Sequence, residues 1–287
     1  MSSAPAHVAG AHGRVATEEC VARAYTAGSD DGVVRRARPP WGRAGSLACE
    51  RPGTVVRTLV LIHTVPPLVE SFTTWCGEIL PDVRLLHVLD EPLLERIRRR
   101  GDRAPEDDER LAGHLALAEG LGVDAVLVTC STVSLGAAAV RSRFTVPIVL
   151  IDDALAREAI GRGDRITLIA TNTTTIEPST AALLNAARAA GRTVVVRPRL
   201  VDGALAALLA GDGVSHDRLV EAAIREATMA DSDVVVLAQA TMTRVLSAMA
   251  DRPAAVPVLA SPPLALREVR RILGAGDSAS KRSLQSD

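Results

Sequence analysis

The chain has 287 residues, of which 47% are hydrophobic, 23% charged and 2% aromatic, and its formal net charge is −1. This length can bury one large core or two modest ones, and apolar positions filled by Val, Ala, Leu and Ile favour a parallel sheet covered on both faces over an aromatic-rich β-sandwich. The small net charge gives no field that favours nucleic acid or an anionic membrane as a partner. The single lysine, Lys281, excludes a Schiff-base or P-loop lysine within the predicted folded region.

The two ends of the chain differ in composition from the rest. Residues 1–53 are rich in Ala, Gly, Arg, Ser and Pro, which predicts a disordered extension. A transit peptide is the alternative, although acidic residues such as Glu18 and Asp30 argue against it; a third interpretation is that translation starts near Val55. Residues 275–287 are predicted to be a frayed tail. Neither a secretory leader nor an apolar run of about 18 to 20 residues is present, and the four cysteines form no C-x-x-C pair, so we expect a cytoplasmic protein.

Short apolar β-branched runs alternate with amphipathic segments between these ends, a pattern typical of βαβ units and a parallel sheet. The clearest helical periodicity covers residues 106–121 and 215–230, and Ser215 is the predicted N-cap of the second helix. The predicted strands cover residues 57–63, 83–89, 124–130, 147–151, 165–171, 193–200, 233–239 and 257–260.

The second half of this pattern repeats the first. The run that begins at Asp124 matches the run at Asp233 with an offset of 109, and three other segments match with offsets of 108 (57 and 165), 110 (146 and 256) and 111 (88 and 199). Offsets this steady predict two similar α/β halves, each with about four parallel strands. Right-handed crossovers place the carboxyl ends of the strands on one edge, where ligands bind in open α/β sheets.

Four loops at these strand ends are the candidate binding site. They begin at His63, Cys130, Thr171 and Gln239, and each precedes a predicted helix whose first backbone N–H groups are free to bind an anion. The alternative is that their hydroxyl groups only cap helices. The candidate substrate-binding residues are Thr64, Ser131, Thr132, Thr171, Asn172, Thr173, Thr174, Ala240 and Thr241.

Two residues in these loops are candidates for proton transfer. Cys130 is either a small buried core residue or a thiol whose pKa is lowered by the following helix N-terminus, so that it serves as a base or nucleophile. His63 either relays protons or binds a carboxylate, or it bonds to backbone as an ordinary strand-end histidine. Cys76 has no strand-end context and is interpreted as structural.

The remaining histidines give no sign of a metal site. His87, His114 and His216 are interpreted as helix or surface residues, and no Cys/His spacing matches a metal motif. A G-x-G-x-x-G motif after a strand and a Walker loop are both absent from the sequence. We therefore predict no cofactor.

These motifs resemble those of the aspartate/glutamate racemase superfamily, which includes hydantoin racemase, maleate isomerase and arylmalonate decarboxylase. Val-Thr-Cys130-Ser-Thr resembles the first cysteine motif, and Leu-Ala-Gln239-Ala-Thr-Met resembles the second with Gln239 in the place of the cysteine. Asp124 and Asp233 open the two motif strands, and Val-Pro-Ile-Val-Leu-Ile-Asp152 follows the first motif. The similarity covers about residues 57–273.

The resemblance implies two flavodoxin-like domains with four-stranded parallel sheets, related by a pseudo-two-fold axis. One domain would cover residues 54–152 together with a returning helix at 262–274, and the other residues 153–261. It also implies catalysis without a cofactor, in which two cysteines flank the substrate's α-carbon and strand-end hydroxyl and backbone groups hold its carboxylate. Members of this kind bind a small carboxylate, and a homodimer is the expected assembly.

Gln239 departs from that pattern, because an amide neither accepts nor donates a proton near pH 7 as a general acid or base must. It donates hydrogen bonds to a carboxylate or an enediolate instead. We therefore expect a racemase-like or isomerase-like enzyme that acts on a small amino acid or dicarboxylate, with Cys130, Gln239 and His63 as the catalytic group. The alternatives are a one-thiol decarboxylase or cis–trans isomerase, and a non-catalytic carboxylate-binding paralogue.

Overall fold

Eight short apolar runs form the strands of the computed structural model, which describes residues 56–249 and 254–274. The predicted extension 1–53 and tail 275–287 lie outside the described residues. All eight predicted strands are present; the first two have the predicted bounds and the others are one to three residues shorter. The strands are β1 Arg57–His63, β2 Val83–Leu89, β3 Ala125–Val128, β4 Ile148–Leu150, β5 Arg165–Ala170, β6 Val195–Leu200, β7 Val234–Leu237 and β8 Val258–Ala260.

The strands form two sheets with the same order, β2-β1-β3-β4 and β6-β5-β7-β8, and every neighbouring pair is parallel. The central strands β3 and β7 are buried along their whole length, as expected for parallel sheets with helices on both faces. The predicted fold class, two similar α/β halves with four parallel strands each, is confirmed.

Helices connect successive strands within the described ranges. No helix there has the length and apolar character needed to cross a bilayer. The helices are α1 Pro67–Ile79, α2 Glu91–Arg100, α3 Pro105–Gly120, α4 Ser131–Val140, α5 Ile151–Arg162, α6 Thr173–Ala189, α7 Ala204–Leu209, α8 Gly213–Met229, α9 Thr243–Ala248 and α10 Ser261–Leu273, with short 3₁₀ turns at Arg141–Arg143 and Ala240–Met242.

The start of α8 differs from the prediction. Asp212 is the N-cap, and its side chain accepts a hydrogen bond of 3.0 Å from the backbone N–H of Ser215. The predicted N-cap Ser215 is therefore wrong: it lies inside the first turn, because the carboxylate three residues earlier already satisfies its free backbone donor. The predicted helix over 106–121 is present as α3, displaced by one residue.

The register between strands corrects one of the repeat offsets. β1 pairs with β3 at Leu59–Ala125, and β5 pairs with β7 at Ile166–Val234. The offset between β3 and β7 is 109 as predicted, whereas that between β1 and β5 is 107 instead of the predicted 108. Both strands are apolar almost throughout, so their sequences lack the alternation that would fix the register.

This one-residue correction changes which loop residues correspond. Ile62 of β1 is equivalent to Ile169 of β5, so the strand-end counterpart of Thr171 is Thr64 and not His63. Both threonine hydroxyls are buried. His63 has no polar counterpart in the second half.

Matching carboxylates tie together the beginnings of the central strands. Asp124 accepts a hydrogen bond of 2.7 Å from the Thr58 N–H, and Asp233 accepts one of 2.9 Å from the Arg165 N–H. Arg57 pairs with Asp124 as Arg165 pairs with Asp233. The aspartates that open the motif strands therefore hold the sheets at the edge opposite the strand-end loops.

Helix α10 packs on the first sheet. Its buried residues Leu266 and Val269 belong to the same apolar cluster as Leu59 of β1 and Phe72 of α1. It also contacts α5. The division into 54–152 with 262–274 and 153–261 remains a prediction.

Phe72→Ala is expected to lower the free energy of unfolding by about 3 to 5 kcal/mol, because it leaves a cavity in this cluster. The Phe72 side chain is 0% exposed, and its ring contacts those of His63 and Trp75. Urea denaturation measures the change. The matched control Leu117→Ala removes a side chain that is 56% exposed and should change stability by less than about 0.5 kcal/mol; equal losses in the two variants would contradict the assignment of this core.

Candidate active site

The carboxyl ends of the strands from both halves border one cleft. The space between its lining atoms is about 420 Å³, which includes solvent at its mouth. Cys130 and Gln239 both line it. The full lining consists of Val65, Leu68, Leu94, Thr129, Cys130, Ser131, Thr132, Asn172, Thr175, Leu205, Gln239, Ala240 and Thr241.

Cys130 and Gln239 occupy equivalent positions in the two halves. Cys130 is the residue before α4, and Gln239 is the residue before the 3₁₀ turn that leads into α9. Each lies two residues beyond the last paired residue of its central strand, Val128 or Leu237. The repeat predicted from the sequence therefore brings a thiol and an amide to the same cleft.

The Cys130 thiol is buried, with 9% of the residue exposed. Burial raises the pKa of this thiol, because removal from water disfavours the charged thiolate. Hydrogen bonding from the Thr64 hydroxyl and from the first backbone N–H groups of α4 opposes this effect and only partly offsets it. The predicted lowering of the pKa by the helix N-terminus is wrong in its net direction, since burial outweighs the helix start. The thiol is protonated at neutral pH.

A hydrogen bond to its amide oxygen holds the Gln239 side chain in place. Its Oε1 accepts a hydrogen bond of 2.8 Å from the backbone N–H of Thr171, at the end of β5. Its Nε2 forms no hydrogen bond with the residues described. The amide therefore presents its N–H donors as the part available to a ligand.

Hydroxyl groups from the two halves meet beside these residues. Thr132 Oγ1 lies 3.3 Å from Thr174 Oγ1 and 3.2 Å from Thr175 Oγ1, so the starts of α4 and α6 touch. Asn172 caps α6 through a hydrogen bond of 3.4 Å from the Thr174 N–H. These hydroxyls therefore bond to one another, the cap of α6 is the Asn172 amide, and the same loops supply backbone N–H donors to the cleft.

The structure brings most of the predicted binding residues together, but not all of them. Ser131, Thr132, Asn172, Ala240 and Thr241 line the cleft with Cys130 and Gln239. Thr64 and Thr171 are buried behind the lining. Thr173 is exposed and Thr174 is half-buried at the start of α6, and neither of them lines the cleft.

Sequence reasoning missed the apolar part of the lining. Leu94 and Leu205 follow the edge strands β2 and β6 and are separated by 111 residues, the same offset that relates the two edge strands. This offset in the sequence could have identified Leu94 and Leu205 as equivalent residues of the two halves. Thr129, between β3 and Cys130, was also missed because the pattern assigns it to the strand.

His63 is 0% exposed and lies behind Thr129, outside the cleft lining. Its Nδ1 is 2.8 Å from Thr129 Oγ1, and its Nε2 is 2.9 Å from Nδ1 of His87. Thr129 donates its only hydroxyl hydrogen to the Ile62 carbonyl at 2.9 Å, so His63 must donate from Nδ1 and accept at Nε2.

This environment keeps His63 neutral. Burial, followed by the neighbouring His87, lowers the pKa of His63 to about 3. His87 lies on the edge strand β2 and not on a helix; it is half-buried, and burial lowers its pKa as well. Of the other two histidines in the described ranges, His114 on α3 hydrogen-bonds to Asp90, and His216 is a fully buried residue of α8.

Asp152 is a buried carboxyl group next to the cleft that the sequence did not suggest as a site residue. Its Oδ1 lies 2.8 Å from the Ser131 hydroxyl and its Oδ2 lies 3.0 Å from the Ser134 hydroxyl. Burial raises its pKa to about 6, although the two hydroxyl hydrogen bonds act in the opposite direction. The carboxyl group therefore becomes protonated as the pH falls through about 6 and is mostly ionised at pH 7.

Ser131 also connects Asp152 to the second half. Its Oγ lies 2.8 Å from the carbonyl oxygen of Ala238, the residue before Gln239. A serine hydroxyl has one hydrogen and cannot donate to both acceptors. When Asp152 is protonated, its O–H donates to the Ser131 oxygen and the Ser131 O–H donates to the Ala238 carbonyl. Both acceptor oxygens in this series of hydrogen bonds then receive a hydrogen.

Comparisons with known proteins agree with this arrangement. A family model described as Asp/Glu/Hydantoin racemase matches residues 64–269, more than half of the chain. The chain belongs to the Asp/Glu/hydantoin racemase family. Membership confirms the resemblance inferred from the sequence and supports a racemase or isomerase type of function. No curated protein matches the chain significantly.

Solved structures of racemases share the fold of this Asp/Glu/hydantoin racemase family member. Glutamate racemase from Bacillus anthracis has a TM-score of 0.60 at 18% identity and covers 76% of this chain and 82% of its own. Aspartate racemase from Picrophilus torridus has a TM-score of 0.59 at 15% identity, over 77% and 94%. Allantoin racemase from Klebsiella pneumoniae has a TM-score of 0.58 at 19% identity, over 77% and 89%. At these identities the likeness concerns the fold.

The stability of the protein should depend on pH through Asp152. The folded state holds the pKa of this carboxyl at about 6, above its ordinary 3.8, so the stabilisation is complete below pH 3.8 and is lost as the pH rises through 6. Relative to Asp152→Asn, whose side chain is neutral throughout, the wild type should lose up to about 3 kcal/mol between about pH 4 and pH 8. Urea denaturation across this range checks it. Exposed Asp202→Asn is the control, and a stability difference between the wild type and Asp152→Asn that stays constant with pH would refute the prediction.

His63 should remain neutral with its hydrogen on Nδ1 down to about pH 5, because its pKa is near 3 and Thr129 can only accept from it. Long-range ¹H–¹⁵N NMR of the imidazole nitrogens measures both properties, with His63→Gln to assign the signals. Protonation above about pH 5, or the hydrogen on Nε2, would show that the hydrogen-bond directions are wrong.

Proposed function

We propose that the protein is a cofactor-independent enzyme of the isomerase type that transfers a proton at the carbon α to a carboxylate, with Cys130 as the proton-transfer group. The observation that carries the proposal is the placement of one buried thiol, flanked by hydrogen-bond donors, in a cleft between two racemase-like halves. A positioned thiol both delivers a proton to a carbanion and, as thiolate, removes it.

Backbone N–H groups and side-chain donors supply the binding site for the carboxylate. Backbone N–H groups at the starts of α4 and α6 point away from their own helices, where an anion gains from unpaired donors and the helix dipole. Ser131, Thr132 and Asn172 lie at these starts and line the cleft. The Nε2 of Gln239 adds a donor from the second half.

Gln239 fixes the stereochemical outcome. Its amide stabilises negative charge on the carboxylate or on the enediolate formed from it, but it transfers no proton. Cys130 therefore serves one face of the α-carbon, and the opposite face has no thiol in the described part of the cleft. His63 supports this site indirectly through Thr129, whose position it fixes.

Decarboxylation is the second candidate, favoured by the protonated resting state of Cys130. In that reaction the bond between the α-carbon and a carboxylate breaks, carbon dioxide leaves, and the remaining electron pair takes the proton of the thiol. A one-thiol cis–trans isomerase would instead need Cys130 to add as thiolate. The raised pKa makes that the less populated form.

Replacing Cys130 tests the proposal. Incubation in D₂O with a panel of amino acids, dicarboxylates and apolar monocarboxylates identifies compounds that gain deuterium at the α-carbon, by mass spectrometry. For these compounds Cys130→Ser and Cys130→Ala should slow exchange by about 10²- to 10⁴-fold, the usual effect of losing a positioned proton-transfer group. The wild-type rate should rise with pH above neutrality, because exchange requires the thiolate.

Cys76→Ala is the matched control. Cys76 is the other described cysteine and is buried in α1, away from the cleft, where burial raises its pKa to about 12. Its replacement should leave exchange unchanged. Exchange that survives the loss of Cys130 would eliminate the proposed mechanism, and an absence of exchange and of decarboxylation in the wild type would favour the non-catalytic paralogue.

A further inference from the structure

We infer that the cleft selects a monocarboxylate that carries an uncharged apolar substituent, and that it discriminates against both dicarboxylates and amino acids. This inference rests on the proposed function, because it concerns the substrate of the same site. It narrows the expectation of a small amino acid or dicarboxylate drawn from the sequence.

Apolar side chains form one side of the cleft. Val65, Leu68, Leu94, Leu205 and Ala240 all line it, and each is less than 9% exposed. They come from both halves, with Leu94 and Leu205 at equivalent positions after the edge strands. A substituent placed among them leaves water for a hydrocarbon surface, which is favourable only when the substituent is apolar.

Charged side chains are absent from the described lining of the cleft. A second carboxylate on the substrate would therefore lose its hydration without gaining a cationic partner, which is a large cost. Arg244 is a described cation that lines a neighbouring recess together with Thr241. Its Nε already pairs with Asp217 at 3.0 Å.

A substrate ammonium group likewise has no carboxylate partner in the described lining. Gln239 Oε1 already accepts from the Thr171 N–H, and Asn172 Oδ1 already accepts from the Thr174 N–H. The buried carboxyl of Asp152 is engaged by two serine hydroxyls and does not line the cleft. The hydroxyl and amide groups that remain are neutral, so they can donate to the oxygens of an anion but give a cation no full negative charge to pair with.

Binding of three near-isosteric probes tests the inference directly. 4-Methylpentanoate has an isobutyl group and no second charge, glutarate replaces the end of that group by a carboxylate, and L-leucine adds an ammonium. Calorimetric titration of the full chain should give a Kd for 4-methylpentanoate lower by roughly tenfold or more than those for the other two. Equal or tighter binding of glutarate or leucine would overturn the inference, and so would no binding of 4-methylpentanoate.

Single-residue variants identify which part of the cleft is responsible for the preference for an apolar substituent. Leu205→Ala should lower the affinity for 4-methylpentanoate by about tenfold and leave the affinity for glutarate unchanged. The matched control Leu209→Ala should change neither affinity, because Leu209 lies on the same helix but is 47% exposed and outside the lining. Leu94→Ala is the second variant if Leu205→Ala fails to fold. Arg244→Gln should leave all three affinities unchanged; selective loss of glutarate binding in this variant would show that dicarboxylates use Arg244, contrary to the inference.

Deuterium exchange separates failure of this inference from failure of the proposed function. Cys130-dependent exchange into glutamate or aspartate would overturn the substrate class and leave the thiol mechanism standing. Preferred binding of 4-methylpentanoate, with no Cys130-dependent reaction of any compound in the panel, would instead support the binding preference and refute catalysis by Cys130.

Discussion

The two halves of the molecule are joined at the site by the hydroxyl group of Ser131. Its oxygen lies 2.8 Å from Asp152 of the first α5 turn and 2.8 Å from the Ala238 carbonyl at the end of β7. Ser131 follows Cys130 directly, and Ala238 directly precedes Gln239. The Ser131 hydroxyl therefore joins the residues next to the thiol and the amide, beside the contacts of Thr132 with Thr174 and Thr175. A buried oxygen that lacks its hydrogen-bond donor costs free energy. Protonation of Asp152 supplies the second hydrogen that Ser131 and its two neighbouring oxygens need, so it strengthens the contact between the halves.

Repetition of one architecture and divergence at one position together define the chemistry. The two sheets have the same strand order, and their central strands begin with equivalent aspartates and end at one cleft. At that cleft the first half contributes an ionisable group and the second a neutral donor. In the proposed function, proton transfer is therefore assigned to one face of the ligand, while both halves contribute to binding its anionic end.

The fold was predictable because short β-branched runs, repeated at nearly constant spacing, allow few arrangements other than two parallel sheets. The repeat also predicted that residues 130 and 239 would meet. It misaligned β1 with β5 by one residue, because two fully apolar strands carry no alternating signal. The identity of Thr64 as the counterpart of Thr171, and the position of His63 behind Thr129, followed only from the register.

Burial in the folded protein explains the other differences between the sequence-based predictions and the structure. Position at a helix start suggested a lowered pKa for Cys130, but the depth of a strand end in the folded protein is not visible in the local sequence, and desolvation decides the direction. Asp152 was noticed as part of a motif, yet its role depends on hydroxyls from α4 that approach it only after folding. The apolar lining likewise comes from helices after the edge strands, whose contribution to the cleft requires the tertiary structure.

The central claim is that Cys130 and residue 239 face one ligand from opposite sides and that only one of them transfers a proton. Separate incubation of (R)- and (S)-2-phenylpropionate in D₂O, followed by chiral separation and mass spectrometry, tests it in the wild type and in Gln239→Cys. The wild type should label one enantiomer without inverting it, and the variant should label and interconvert both. Interconversion by the wild type, labelling that does not require Cys130, or a variant that gains no second face would contradict the account.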